Sequence, residues 1–274
     1  MFPQITHRLP HPALAPYVRC YWEVSQELPP GTTQQVPFGC TGRTHWLIML
    51  RNAFHTTFDD GGQLPIYDST LVGQIVRPLT HHVTTTTAIL VVDFTATGLH
   101  ELWQLPLHEL CGQNVETAPT LGAHADRLVA QLREAPGPPA RFALLDTYLL
   151  QRRRHGGRPD ARMTAAVRLI QQRPGHVPIR QLAEYLNCSE RTLNRRFLET
   201  VGLSPKHYAR IQRFLQTRHY LMQRAPGCWA DAVVSLGYHD QAHLIHEFKH
   251  FTGAPPLLYG TDRPALHDFI RMPY

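Results

Sequence analysis

The spacing of apolar and polar positions changes once along this chain, near residue 98. Before it, short stretches dense in aromatic and β-branched residues (Tyr17–Val24, His45–Leu50, Val83–Phe94) are separated by turn formers such as Leu28-Pro-Pro-Gly31 and Asp59-Asp-Gly-Gly62. That pattern predicts short strands joined by tight turns, arranged as a small barrel or sandwich. After it, Leu121–Glu134 sets Leu121, Leu128, Val129 and Leu132 at near-helical spacing. Phe142, Leu145, Tyr148 and Leu149 mark a second amphipathic helix beyond the break Ala135-Pro-Gly-Pro-Pro139. These two helices could cover the barrel or pair with a second copy of themselves. Gln151-Arg-Arg-Arg-His-Gly-Gly-Arg-Pro159 is charged, holds Gly-Gly and ends in Pro before Asp160, so it reads as a linker. The expected organisation is residues 1–151 with a helical extension over about 98–151, a linker over 152–159, and an all-helical part over 160–274.

The helical part contains a repeat. Leu193, Phe197, Gly202, Pro205 and Tyr208 recur as Leu244, Phe248, Gly253, Pro256 and Tyr259, each 51 positions later. Each copy reads as a helix-turn-helix. In the first, Pro178–Leu186 is a short helix burying Leu182 and Ala183, and Asn187 suits a left-handed turn. Ser189 then caps a helix from Glu190 to about Val201. Leu193 and Phe197 lie on its buried side, which leaves Arg191, Asn194 and Arg195 projecting outward. In the second copy Ala230–Leu236 is the short helix, Gly237 the turn, and Asp240 the cap of a helix starting at Gln241. Leu244 and Phe248 are its core stripe, with Phe251 next in line; Gln241, Ala242, Ile245 and His246 face outward and His243 sits near its start. Ser204-Pro205 opens a connecting helix that can run to Arg224. Its 21 residues span roughly 30 Å, close to the ~34 Å between successive major-groove faces of B-DNA.

Charge sharpens this reading. The 274 residues carry a net +6, but residues 152–224 hold 16 basic and 4 acidic side chains, a local +12, whereas 1–151 stand at −4 and 225–274 at −2. So concentrated a positive block points to an anionic partner, DNA before a membrane surface. Arg and Asn side chains on the first outward face have the donors for base edges and phosphates. On the second, Gln pairs two-fold with adenine, and Ala or Ile meets a thymine methyl. A length of 274 residues suits two domains. The longest apolar runs, Trp46–Leu50 and Ala88–Val92, are far short of a membrane span. The N-terminal residues do not resemble a signal peptide. Five scattered cysteines without a CxxC pair suggest reduced thiols in a cytoplasmic protein.

The stretches Leu182-Ala-Glu-Tyr-Leu-Asn-Cys-Ser189, Arg191-Thr-Leu-Asn-Arg-Arg-Phe197 and Gly202-Leu-Ser-Pro205 resemble the first DNA-reading motif of the AraC/XylS family of bacterial transcription regulators. Leu236-Gly-Tyr-His-Asp240, Leu244-Ile-His-Glu-Phe-Lys249 and Gly253-Ala-Pro-Pro256 resemble the second. Three departures stand out. Tyr238 replaces the usual Phe, His246 a common Arg, and Ala254-Pro255 the usual hydrophobic-Ser. Pro16-Tyr-Val-Arg-Cys-Tyr-Trp22, Val36-Pro-Phe-Gly-Cys-Thr41, Leu71-Val-Gly73 and Leu102–Leu110 are similar to the sensing domain of one AraC subgroup, in which Asp often stands at the place of Phe38. The resemblance implies an α+β chain. Its N-terminal part would be a cupin-like β-barrel with a helical extension, and its C-terminal part an all-α domain of two helix-turn-helix motifs joined by a long helix. It also implies a sequence-specific transcription regulator that reads DNA through Ser189, Glu190, Arg191, Asn194, Arg195, Gln241, Ala242, His243, Ile245 and His246. Expected partners are double-stranded promoter DNA, a small-molecule effector, RNA polymerase and a second copy of the chain; no membrane is expected.

An enzyme reading is weaker. His45, His55, His81, His82, His100 and His108 include no HxH followed by Glu, and His81 and His82 would point to opposite faces of a strand, so no metal site or cofactor is expected. No GxSxG occurs, and the paired cysteines of a zinc-bound methyl acceptor are missing. Cys20, Cys40 and Cys111 read as buried inert thiols ahead of redox sensors. Two roles for the N-terminal half stay open, effector sensing and contact with a partner or second copy. His239, His243, His246 and His250 crowd the second motif, so DNA binding is expected to tighten as pH falls through about 6.5.

Overall fold

The computed structural model describes residues 3–157, 159–173, 177–223 and 229–256. Among the described residues ten strands lie in the first half of the chain: β1 (Gln4–Arg8), β2 (Val18–Gln26), β3 (Gln34–Phe38), β4 (His45–Arg51), β5 (His55–Phe58), β6 (Gln63–Leu64), β7 (Ser69–Val72), β8 (Leu79–Val83), β9 (Thr87–Phe94) and β10 (Asn114–Glu116). Antiparallel pairing arranges them as a six-stranded sheet, β1-β2-β9-β4-β7-β10, and a four-stranded sheet, β3-β8-β5-β6. The single stretch expected over Val83–Phe94 is two strands. Thr84–Thr86 turn between β8, in the small sheet, and β9, in the large one.

Ten α-helices accompany the strands among the described residues. Four belong to the extension: α1 (Gly98–Trp103), α2 (Thr117–Leu121), α3 (Ala123–Glu134) and α4 (Pro138–His155). The helix expected over Leu121–Glu134 is broken at Gly122, whose φ of 81° ends α2 and starts α3. Pro138 and Pro139, read in sequence as part of a break, are the first two residues of α4, where the missing N–H costs nothing. Its last turn takes in residues 151–155 of the expected linker, with Arg152 donating to the Leu102 carbonyl (2.9 Å) and Arg153 to that of Ala13 (3.1 Å).

Both faces of the large sheet are covered. Tyr21, Trp46, Ile48, Leu90, Val92 and Phe94 form one core with Leu128, Leu132, Phe142, Leu145 and Leu149 of α3 and α4. The extension therefore packs on its own barrel. Polar ties fix it there: Tyr21 donates to Asp146 (2.9 Å), Arg8 pairs with the same carboxylate, and Arg141 pairs with Glu23 (2.6 Å). The opposite face of the large sheet, carrying Val24, Leu47, Ile89 and Val91, looks across a cavity at β3 and β8.

The remaining helices are α5 (Ala161–Gln172), α6 (Ile179–Tyr185), α7 (Glu190–Val201), α8 (Pro205–Met222), α9 (Trp229–Ser235) and α10 (Gln241–Thr252). Met163, Ala166, Ile170, Leu182, Ala183, Leu193, Phe197, Tyr208 and Phe214 are buried together. Phe214 of α8 then stacks edge-on against Phe248 (centroids 5.3 Å apart) and beside Phe251 (5.1 Å), so α10 shares this core. A smaller cluster of Ala232, Leu236, Tyr238 and Leu244 completes the second motif. Arg224, Cys228 and Tyr259, used in the sequence reading of the connecting helix, the thiols and the repeat, lie outside the described residues.

Candidate nucleic-acid interface

Each motif is set by its caps and turns. Asn187 adopts φ 51°, the left-handed turn between α6 and α7. Ser189 Oγ then accepts the N–H of Thr192 (3.1 Å) and contacts its hydroxyl (2.9 Å), closing the first turn of α7. In the second motif Gly237 (φ 70°) makes the turn and Asp240 accepts the N–H of His243 (2.7 Å). That bond, with His239 beside it, holds the Asp240 carboxyl below its ordinary range. Asp160 caps α5 through the N–H groups of Arg162 and Met163, and pairs with Arg196 of α7 (2.5 Å), orienting α7 on its supporting helix.

With Leu193, Phe197 and Val201 buried, α7 exposes Glu190, Arg191, Asn194 and Arg195. With Leu244, Phe248 and Phe251 buried, α10 exposes Gln241, Ala242, His246 and Lys249. Ser189 is exposed but its hydroxyl serves the cap, while Ile245 is half-buried. His243 is also half-buried: its Nδ1 accepts the N–H of His239 (3.3 Å) and its ring meets Tyr238 edge-on at 5.3 Å. The ten residues thus divide into seven outward side chains and three that partly serve the motifs themselves.

Sequence pattern did not reveal the ion-pair latch behind α10. Glu247 is 1% exposed. Its carboxylate accepts from Arg213 Nε (2.9 Å) and Nη2 (2.8 Å) and from Arg210 Nε (2.9 Å). Arg213 also donates to the Gly237 carbonyl (3.2 Å) and lies 4.6 Å from the Tyr238 ring centre. Burial alone would raise the Glu247 pKa, but the two guanidinium groups hold it below the ordinary value. The latch joins α8, the turn at Gly237 and α10. Tyr238 fits the same region because its additional hydroxyl meets Thr217 Oγ1 at 2.8 Å. Arg196, Arg213 and Arg218 of the +12 block are thus turned at least partly inward, and the outward charge rests on residues such as Arg162, Arg168, Arg180, Arg191 and Arg195.

The N-terminal thiols lie in surroundings that disfavour the thiolate. Burial, with Asp93 adding to it, pushes the Cys20 thiol up to about 12; burial does the same for Cys40, and Cys111 is raised too. His81 and His82 do face opposite ways, one onto Thr56 and the other onto Thr57 (2.8 Å each). Among the described residues no group of three or more His, Cys, Asp or Glu is placed to hold a metal ion, and no helix is long and apolar enough to cross a membrane.

Comparison with known proteins agrees with the motif geometry. A helix-turn-helix domain family matches residues 182–261, and a domain of unknown function, DUF6597, matches residues 6–116. Uncharacterized HTH-type transcriptional regulators of Staphylococcus aureus strains MSSA476 and MRSA252 are each 30% identical over 86 residues, 31% of this chain. The matched region is only 11% of the length of those relatives. Among solved structures, ToxT from Vibrio cholerae O395 aligns over 93% of this chain and 99% of its own, at 10% identity and a TM-score of 0.47. The C-terminal domain of AraT from Geobacillus stearothermophilus aligns over 38% of this chain and 86% of its own, at 23% identity and a TM-score of 0.35. Over residues 182–261 the chain is thus similar to the helix-turn-helix domains of transcriptional regulators.

Proposed function

We propose that this chain is a sequence-specific DNA-binding transcription regulator, with residues 160–274 reading promoter DNA and residues 1–151 sensing a small-molecule effector. The observation that carries this reading is the pairing of two capped helices, α7 and α10, each with a buried stripe and a polar outward face. They are joined through α8, whose 18 residues span about 27 Å. That length approaches the ~34 Å repeat of the major groove. Arg191, Asn194 and Arg195 contact bases or phosphates in one groove segment, and Gln241, Ala242 and His246 in the next, with Glu190 at the rim of the first. Ser189, His243 and Ile245 chiefly shape the helix starts, with contacts of their own at the edge of the interface. The chain acts by binding and not by catalysis. RNA polymerase and a second copy of the chain are further partners of such a regulator.

Footprinting of the full chain on a duplex selected from a random-sequence pool tests this reading. Two protected major-groove segments one turn apart are expected; a single segment, or binding no better than to competitor DNA, overturns it. Arg195→Ala should weaken specific binding by about 1–3 kcal/mol, read by gel shift. An unchanged affinity removes Arg195 from the interface.

A further inference from the structure

A cavity of about 150 Å³ lies between the two sheets of the N-terminal domain. Its wall is mostly Val, Ile, Leu and Phe, with six polar residues, Gln26, Gln34, His45, His81, Thr87 and Asn114, and no Arg, Lys, Asp or Glu among the described residues. Gln26 and Gln34 bond to each other, and His81 bonds to Thr56. Burial lowers the pKa of His45, and burial with His82 lowers that of His81 to about 4, so neither supplies a cation at neutral pH. An ionised guest would lose its water without gaining a counter-charge, a cost of several kcal/mol or more. Cavities of this size with aliphatic and aromatic walls accept a benzene-sized guest. Asn114 is 6% exposed, and although its Nδ2 donates to the Pro65 carbonyl (2.8 Å), its Oδ1 has no partner. A guest with one O–H or N–H would satisfy that oxygen.

The cavity wall is also a wall of the helical domain. Val36 and Phe38 of β3 line the cavity and pack against the cluster that holds Phe214, Phe248 and Phe251. Next along the chain, Gly39 lies so close to α10 that a Cβ there would be 3.1 Å from the Phe251 carbonyl oxygen. Cys40 is fully buried in the same cluster. At Gly42 a Cβ would meet Gln212 and Ile211 of α8. Residues 36–42 therefore separate the cavity from the helices that carry the second recognition surface.

We propose that the barrel cavity binds a small uncharged ring compound bearing one hydrogen-bond donor, and that Phe38 passes its occupancy to the seat of α10. This rests on the reading of the N-terminal domain as a sensor and adds the ligand's class and the route of its signal. A guest fixes Phe38 from one side while α8 and α10 hold the segment from the other, so filling the cavity changes the packing under the second recognition helix. A ligand shifts such an equilibrium only by its differential affinity for the two arrangements.

The test is calorimetric titration of the full chain with phenol, benzene and benzoate. In parallel, binding to the selected duplex is measured by fluorescence anisotropy with and without phenol. Phenol should bind more tightly than benzene, benzoate should not bind, and phenol at tenfold its Kd should raise the Tm by about 3 °C. Phenol should change duplex affinity about fivefold or more. Phe38→Ala, or the milder Phe38→Leu, should lose that change even when phenol is raised until the variant is saturated. Val91→Phe, which fills the cavity, should abolish phenol binding. Failure of every neutral ring to bind overturns the proposal, and so does benzoate binding as well as phenol; neither result touches the footprint that tests DNA reading. Phenol binding that leaves duplex affinity unchanged in the unmodified chain overturns the route through Phe38.

Discussion

Replacing Glu247 by Gln keeps the size of the side chain and removes the charge on which two guanidinium groups converge. The loss can be scaled from the structure. Arg213, with a side chain 11% exposed, would be left buried with the Gly237 carbonyl and the Tyr238 face as its remaining partners. Leaving one member of a buried ion pair unmatched costs about 3–5 kcal/mol. Arg210, with a side chain 40% exposed, recovers most of its share from water, so its pairing adds less than about 1 kcal/mol. The expected loss is about 3 kcal/mol, seen as a fall of about 6–10 °C in the Tm of the full chain. Glu247→Gln with Arg213→Met should be less destabilised than Glu247→Gln alone, because the stranded cation is gone. The sign of the pH effect follows from the depressed carboxyl of Glu247. Its stabilisation is complete above the unfolded pKa of about 4.3 and is lost as pH falls through the lower folded value, so Glu247→Gln should flatten the acid limb of a Tm–pH curve. A single variant within about 1 kcal/mol of the parent, or a double variant whose losses simply add, would refute the latch.

Gly202 and Gly253 should differ when changed to alanine. Both have φ near +80°, which costs an L-residue about 1 kcal/mol, but a Cβ on Gly202 would lie 2.8 Å from the Leu107 carbonyl oxygen whereas one on Gly253 meets the movable end of Asp59. Gly202→Ala is expected to be the more damaging in thermal melts, and equal losses would count against the close approach to Leu107.

The helix starts were legible because capping is local. Ser189, Asp240 and Asp160 each accept N–H groups two or three residues ahead, so the residue types alone announce them. The buried stripes at Leu193, Phe197, Leu244 and Phe248 were legible for the same reason. Thr84–Thr86 were not, since a run of threonines carries strand propensity and neither Gly nor Pro marks the turn. The basic stretch at 151–155 looked like a linker yet ends α4, where cations favour the carbonyl end of a helix. The two-sided burial of the large sheet left a signal in the unbroken apolar runs Trp46–Leu50 and Ala88–Val92, which mark strands covered on both faces. Glu247, by contrast, sits among Lys249, His246 and His250 as if solvated. Its partners are 34 and 37 residues away, and no local pattern links them.

The helices α7 and α10 end alike, and both ends rest on the N-terminal domain. Gly202 and Gly253, partners in the 51-residue repeat, terminate α7 and α10 in left-handed conformation. The first seats on Leu107, where Gln74 also donates to the Val201 carbonyl (3.1 Å), and the second beside Asp59 and Pro78. The outward positions proposed to face DNA lie toward the opposite, N-terminal ends of the same helices. The barrel domain can therefore hold both helices by their C-terminal ends without covering the surfaces proposed to enter the grooves. Because α8 and the Glu247 latch fix the second motif to the first, a shift at either seat must alter the spacing or tilt of the pair, not of one helix alone. Duplex recognition by two motifs is sensitive to that spacing, since the major-groove repeat of about 34 Å allows little error. If α7 and α10 enter the grooves as proposed, a small change at Leu107 or at residues 36–42 has a direct mechanical path to DNA affinity.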